Sequence, residues 1–191
     1  MLDDVWNQQQ VRHRLRELAD ADPQLRRFGA RQHRYQLGRT VSAQDLTRFE
    51  QDNGVTLPDA YREFITTVGD GGAGPYLGMY RYDGTDWDNP NYPPEERRPG
   101  FLATAFPHTE RFQPYRPGLS DDDILYDPSW LSGSLVLAAY GCGAYFRLVV
   151  TGDARGQVWF DDFASDEGLS PGPDFHDWYQ AWLDDPELGA Q

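Results

Sequence analysis

Lysine is absent from this 191-residue chain, and all 17 of its basic residues are arginine. That absence excludes a P-loop lysine, a Schiff-base lysine and a lysine general base. Cysteine is almost absent too. The single Cys142 allows no internal disulfide and fits a reducing compartment. No window approaches the roughly 18 apolar residues of a membrane-spanning helix. The N-terminal MLDDVWNQQQVRHRLREL contains no apolar stretch of the signal-peptide kind. These absences lead us to expect a cytoplasmic protein that does not engage a membrane. Basic charge is also short: 31 acidic residues against 17 arginines leave a net charge of -14. Such a field repels phosphate and disfavours nucleic acid as a partner. It attracts a basic protein and speeds its association, and it also serves plain solubility.

Aromatic residues are abundant. Ten Phe, eleven Tyr and six Trp make up 14% of the chain. Each ring buries roughly 150–250 Å², so one substantial core is within reach despite a mean hydropathy of -0.73. The spacing predicts an amphipathic helix over 4–20, with Val11, Leu15 and Leu18 on one face. Residues 21–41, with Pro23 and five arginines, read as a connector. Ser42 and Asp45 resemble a capping box that opens a helix over about 43–52, with Leu46 and Phe49 inward and Asn53-Gly54 at its end. A third helix should start at Pro58 and carry Tyr61, Phe64, Ile65 and Val68 on one stripe, ending at a left-handed Gly69.

Extended pieces are expected at 77–82 and 101–106, then at 135–139, 145–151 and 157–160. Turn residues at 152–156 make the last two a hairpin. A closing helix over about 173–184 presents Phe175, Trp178, Tyr179 and Trp182 at helical spacing, with Asp174 favouring its N-terminus. Between these lie loops at 83–100 and 107–123. Helices, an antiparallel meander and a closing helix make an α+β domain over 42–191, with 1–41 as an N-terminal helix and connector in the same globular unit.

Few motifs suggest chemistry. Gly69, Gly71 and Gly74 satisfy G-x-G-x-x-G, but a helix precedes them and a strand follows, the reverse of the order that aims a helix N-terminus at a pyrophosphate. A helix end followed by a turn explains them better. Cys142 sits between two glycines with no histidine near in sequence, so it reads as a small structural residue. Asp83, Asp86 and Asp88, like Asp121, Asp122 and Asp123, are dense carboxylates without the spacing or terminal glutamate of a calcium loop. We expect no metal, no cofactor and no catalytic residue. Tyr76, Tyr80, Tyr82, Trp87 and Tyr92 crowd the glycine-rich exit and the loop after it. The strand aromatics suit a core, whereas aromatics mixed with aspartate on a loop suit an interface.

Four of these segments together resemble the SUKH superfamily. They are Phe49-Glu50 through Leu57-Pro58 to Tyr61-Arg62 and Phe64; the turn Gly69-Asp70-Gly71-Gly72; Gly141-Cys142-Gly143 running into Leu148-Val149-Val150, Gly152, Arg155-Gly156 and Val158-Trp159; and the closing aromatic helix. The resemblance covers roughly 42–184. It implies a binding module without shared catalytic residues, in bacteria typically an immunity protein that neutralises a toxin domain, often a nuclease. The expected partner is therefore a basic toxin domain. Its charged contacts would be Asp83, Asp86, Asp88 and Asp121 to Asp123, with Tyr82, Trp87 and Tyr92 as anchors. A regulatory or scaffold protein of the cell-wall-regulator type, and a small-molecule binder, are the alternatives.

Overall fold

A computed structural model describes residues 5–85, 96, 98–114 and 127–187. Its helices are α1 (Gln8–Ala21), α2 (Ala30–His33), α3 (Ala43–Asn53), α4 (Asp59–Glu63) and α5 (Phe175–Asp184). Four strands, β1 (Ser134–Gly141), β2 (Ala144–Val149), β3 (Gln157–Asp162) and β4 (Gly168–Asp174), form an antiparallel meander in sequence order. The fold is α+β, as the sequence implied. Among the described residues no helix is long and apolar enough to cross a membrane.

The helices form where apolar stripes and caps agree. α1 buries Val11, Leu15 and Leu18, and the Asn7 side chain accepts from the Gln10 amide at its start. α3 opens with Ser42 accepting from the Asp45 amide, while the Ser42 hydroxyl donates to the Asp45 carboxylate at 2.7 Å. It closes at Gly54, φ 64°. α5 is capped by the Asp174 side chain, which accepts from the Asp177 amide. The connector contains the one-turn α2, which the sequence reading did not anticipate.

The third helix departs from expectation in its last turn. α4 widens into a π turn over Phe64–Val68, closed by the Gly69 amide donating to the Phe64 carbonyl at 3.0 Å. The wider turn leaves the Ile65 carbonyl free to accept from the Val41 amide at 2.8 Å, and the Val68 carbonyl to accept from the Arg12 guanidinium at 2.7 Å. Gly69 is not left-handed: its φ of 166° is ordinary extended backbone. What matters there is space, because a Cβ on Gly69 would lie 2.8 Å from the Gly38 carbonyl oxygen.

Single bridges widen the sheet at both edges: Leu37 to Gly72, Gly72 to Met79 and Met79 to Ala138 on the β1 side, and Phe112 to Leu169 on the β4 side. The segment expected as a strand at 77–82 is thus a bridged ribbon beside β1, and 101–106 is a turn, held by Thr104 donating to the Gly100 carbonyl. The glycine-rich 69–74 segment lets these ribbons approach. A Cβ at Gly72 would sit 2.3 Å from the Gln36 carbonyl oxygen, which forbids any larger residue.

One sheet face meets the helices. Leu135, Leu137, Leu148 and Val158 join Trp6, Leu15, Tyr61, Phe64, Phe175 and Tyr179 in the main core. The other face is covered by loop segments, with Trp159 and Val149 packed on Phe101, Phe106, Leu131 and Leu169.

Candidate functional site

An acidic concavity lies where α3, the 81–85 segment and the start of β1 meet. A cavity of about 350 Å³ is lined by Phe49, Asn53, Tyr82, Asp83, Glu96 and Ser134, among others. A second hollow of about 470 Å³ shares Phe49, Arg81, Tyr82 and Asp83 with it and extends to Arg39, Asp45, Arg48, Asp52 and Asp70. The wall between them is the edge-to-face pair of Phe49 and Tyr82, centroids 5.0 Å apart.

The rim geometry is set by hydrogen bonds close to the chain. Asp83 accepts from the Thr85 hydroxyl at 2.7 Å and the Thr85 amide at 3.1 Å, and Arg81 Nε lies 3.4 Å away. Burial pushes its carboxyl up, but these donors outweigh that and hold it below the ordinary range, so it stays ionised. Asp70 is fully buried and accepts from the Tyr82 amide at 2.9 Å, with Arg81 at 3.6 Å. Asp70 therefore clamps the glycine-rich turn to the start of the rim. Burial and the charges of Asp83, Asp45 and Asp70 raise the Tyr82 phenol, which keeps it protonated.

Beneath the cavity lies a buried ion network. Arg147 is wholly inaccessible on β2 and donates to the Ser134 hydroxyl at 2.9 Å, to Asp161 at 3.1 Å and to Glu96. Burial raises the Asp161 carboxyl, and the Arg147 charge opposes that. Ser134 and Glu96 belong to both the network and the cavity lining, so the floor of the concavity is rigidly tied to the sheet.

Of the residues expected at the interface, Asp83 lies on the rim. Tyr82 lines the cavity while being buried against Phe49, so its ring serves the core as well as the wall. Asp86, Trp87, Asp88, Tyr92, Asp121, Asp122 and Asp123 lie outside the described residues. The sequence reading missed Asp45, Asp52 and Arg81, which the fold brings beside Asp83 from α3 and the bridged ribbon. Asp45 was noticed as a cap, but nothing local announced that its helix borders the rim.

The other candidate chemistries separate in space. Cys142 is exposed at the β1–β2 turn, where Cys142 (φ 53°) and Gly143 (φ 87°) supply the two positive φ values of a two-residue hairpin. Neither hollow is lined by it or by a histidine. Asp174, His176 and Asp177 hold potential ligand atoms within 4.8 Å of one another. Asp174 is already engaged as the α5 cap, and His176 lies against the Trp6 ring at 4.7 Å.

Comparison with known proteins agrees with this architecture. A family model described as the SMI1/KNR4 family (SUKH-1) matches residues 40–181, most of the chain. No curated protein matches it.

Proposed function

Because the chain belongs to the SMI1/KNR4 family (SUKH-1), we propose that it is a non-enzymatic protein-binding module, an immunity protein that neutralises a basic toxin domain. The observation that carries this reading is where the charge lies. Residues 1–41 hold eight arginines against five acidic residues, whereas the rest of the chain holds nine against 26. The acid excess falls on the part that matches the family, and the concavity between α3 and the 81–85 segment presents Asp45, Asp52 and Asp83 there, beside Arg39, Arg48 and Arg81. A toxin that acts on nucleic acid has a basic cleft, and an acidic inhibitor is drawn to it by long-range attraction.

The test is capture by the tagged protein from lysates of its own organism and of competitors, at low and high salt, read by mass spectrometry. The wild type is expected to retain a basic toxin-like domain that high salt releases. A variant with Asp45→Arg, Asp52→Arg and Asp83→Arg should lose it while staying cooperatively folded, its melting temperature lowered by the lost Ser42 and Thr85 hydrogen bonds. Retention by that variant removes the concavity from the interface. Recovery of housekeeping proteins alone points to the regulatory reading instead.

A further inference from the structure

On the β1 side, the ribbon that widens the sheet ends in an open edge. Two left-handed residues, Arg34 (φ 50°) and Tyr35 (φ 57°), turn the chain out of α2 and into that ribbon. The Ala73 amide donates to the Gln36 carbonyl at 2.8 Å, and the Gly38 amide donates to the Gly71 carbonyl at 3.0 Å. These bonds flank the antiparallel bridge of Leu37 with Gly72, so the Leu37 amide and carbonyl point away from Gly72. Neither group is hydrogen-bonded among the described residues. Beside this edge lies a hollow of about 550 Å³, between 34–37 and the side of α1 that carries Arg12, Leu15 and Arg16. Its floor is apolar, with Leu15 and Tyr35 buried and Leu37 half-buried. Its rim is basic: Arg12, Arg16 and Arg34 are exposed, and no carboxylate is among the described lining residues. None of these three arginines has an ion-pair partner among the described residues, whereas Arg14 and Arg27 of the same N-terminal segment are paired. Arg12 and Arg16, four residues apart on α1, repel each other with no counter-charge beside them.

We propose that this hollow receives an extended acidic segment of a partner protein, which pairs with the Leu37 edge and sets its carboxylates against Arg12, Arg16 and Arg34. The edge offers one backbone donor and one backbone acceptor, a pair that another extended chain satisfies together. Strand alternation supplies the rest. Apolar side chains of the segment turn to the floor, and the carboxylates between them turn outward, where long arginine side chains on the rim reach them. Guanidinium groups without a partner suit carboxylates because two parallel hydrogen bonds form at once. The hollow shares no described lining residue with the two that surround Asp83, and its charge is of the opposite sign. The inference therefore goes beyond the toxin-binding reading and stands or falls apart from it.

The test titrates the full-length protein with the peptide acetyl-Glu-Val-Glu-Val-Glu-amide, followed by amide chemical shifts and hydrogen exchange. Signals of 12–19 and 34–38 should shift saturably, the Leu37 amide should exchange more slowly, and added salt should weaken binding. The same peptide with lysine in place of glutamate should not bind. Arg16→Gln with Arg34→Gln should weaken binding about fivefold. Neither side chain holds another element: Arg16 donates within α1, and Arg34 makes no side-chain hydrogen bond among the described residues. An unchanged melting temperature therefore separates lost recognition from lost folding. In an extended peptide the glutamate amides face one edge and the valine amides the other. Methylating one of these two sets should abolish binding, and methylating the other should not. Equal binding by both methylated peptides, an unchanged affinity in the double variant, or no saturable shift at 34–38 overturns the proposal. Dimerisation of the protein alone in analytical ultracentrifugation, lost in the double variant, would make a second copy the occupant and overturn the external partner.

Discussion

The two faces of the sheet solve the same burial problem with different chemistry. On the helical side, Leu135, Leu148 and Val158 meet an aromatic cluster in which Trp6, Phe64, Phe175 and Tyr179 interlock edge to face. On the loop side, Trp159 and Val149 share their face with Arg147, whose charge is neutralised by Asp161 and Glu96. The helical face gains stability from buried area and ring geometry. The loop face trades some of that gain for geometry, since a buried guanidinium demands that every partner be in place. It is also the face whose network reaches the cavity between α3 and 81–85. The difference suggests that the helical face supplies stability and the loop face fixes the shape of the acidic concavity.

The comparison breaks most severely if the ion network is opened from one side. Arg147→Met leaves Asp161 and Glu96 buried without their cation and should cost about 3–5 kcal/mol in urea unfolding. Pairing it with Asp161→Leu should recover part of that loss; no recovery would mean that Arg147 acts through packing. Next come matched truncations, Trp159→Ala on the loop side at about 3–5 kcal/mol and Leu148→Ala on the helical side at about 2–5 kcal/mol. Both residues are fully buried. A stability unaltered by Trp159→Ala would remove the loop side from the core.

A pH-dependent prediction sharpens the helical side. Burial lowers His33 to about 4, and its Nδ1 accepts from the Tyr35 amide at 3.0 Å, a bond that only the neutral ring can make. The folded pKa lies below the unfolded value of about 6.5, so above that pH neither state gains a proton. As pH falls from there toward 4, the unfolded chain binds a proton that the folded one refuses, and up to about 3 kcal/mol of stability is lost. His33→Gln should flatten this part of the urea-midpoint profile. A profile identical to wild type would assign the slope to other groups.

The smallest effect belongs to a helix end. Ser42→Ala removes the side chain that caps α3 and should cost about 1 kcal/mol, read as a shift in melting temperature.

These contrasts also explain what could be read in the sequence. The helical side was legible because its contacts follow a local period: Val11, Leu15 and Leu18, or Phe175, Trp178, Tyr179 and Trp182, announce their own face. The three strands β1 to β3 were visible as β-branched and aromatic runs. β4 was not, because Pro171 and Pro173 argue against a strand. Their place is understandable once the edge is seen. The Leu169 amide points outward to the Phe112 carbonyl, and the two prolines alternate with Leu169, so their missing donors fall on that outer side. The π turn was hidden because the contact it accommodates, the Val41 amide on the Ile65 carbonyl, is remote in sequence. Asp83 was legible at the candidate site as part of a charged loop. Its neighbours Asp45 and Asp52 were not, since only the packing of α3 beside the bridged ribbon brings them there.

The most direct test of the account is the association rate of the captured basic partner with wild-type protein and with Asp83→Arg, measured by stopped flow across ionic strength. The account predicts a wild-type rate that falls steeply with salt, and a slower, flatter dependence in the variant. Rates that coincide at every salt concentration would contradict the assignment of this acidic concavity as the surface that meets the partner.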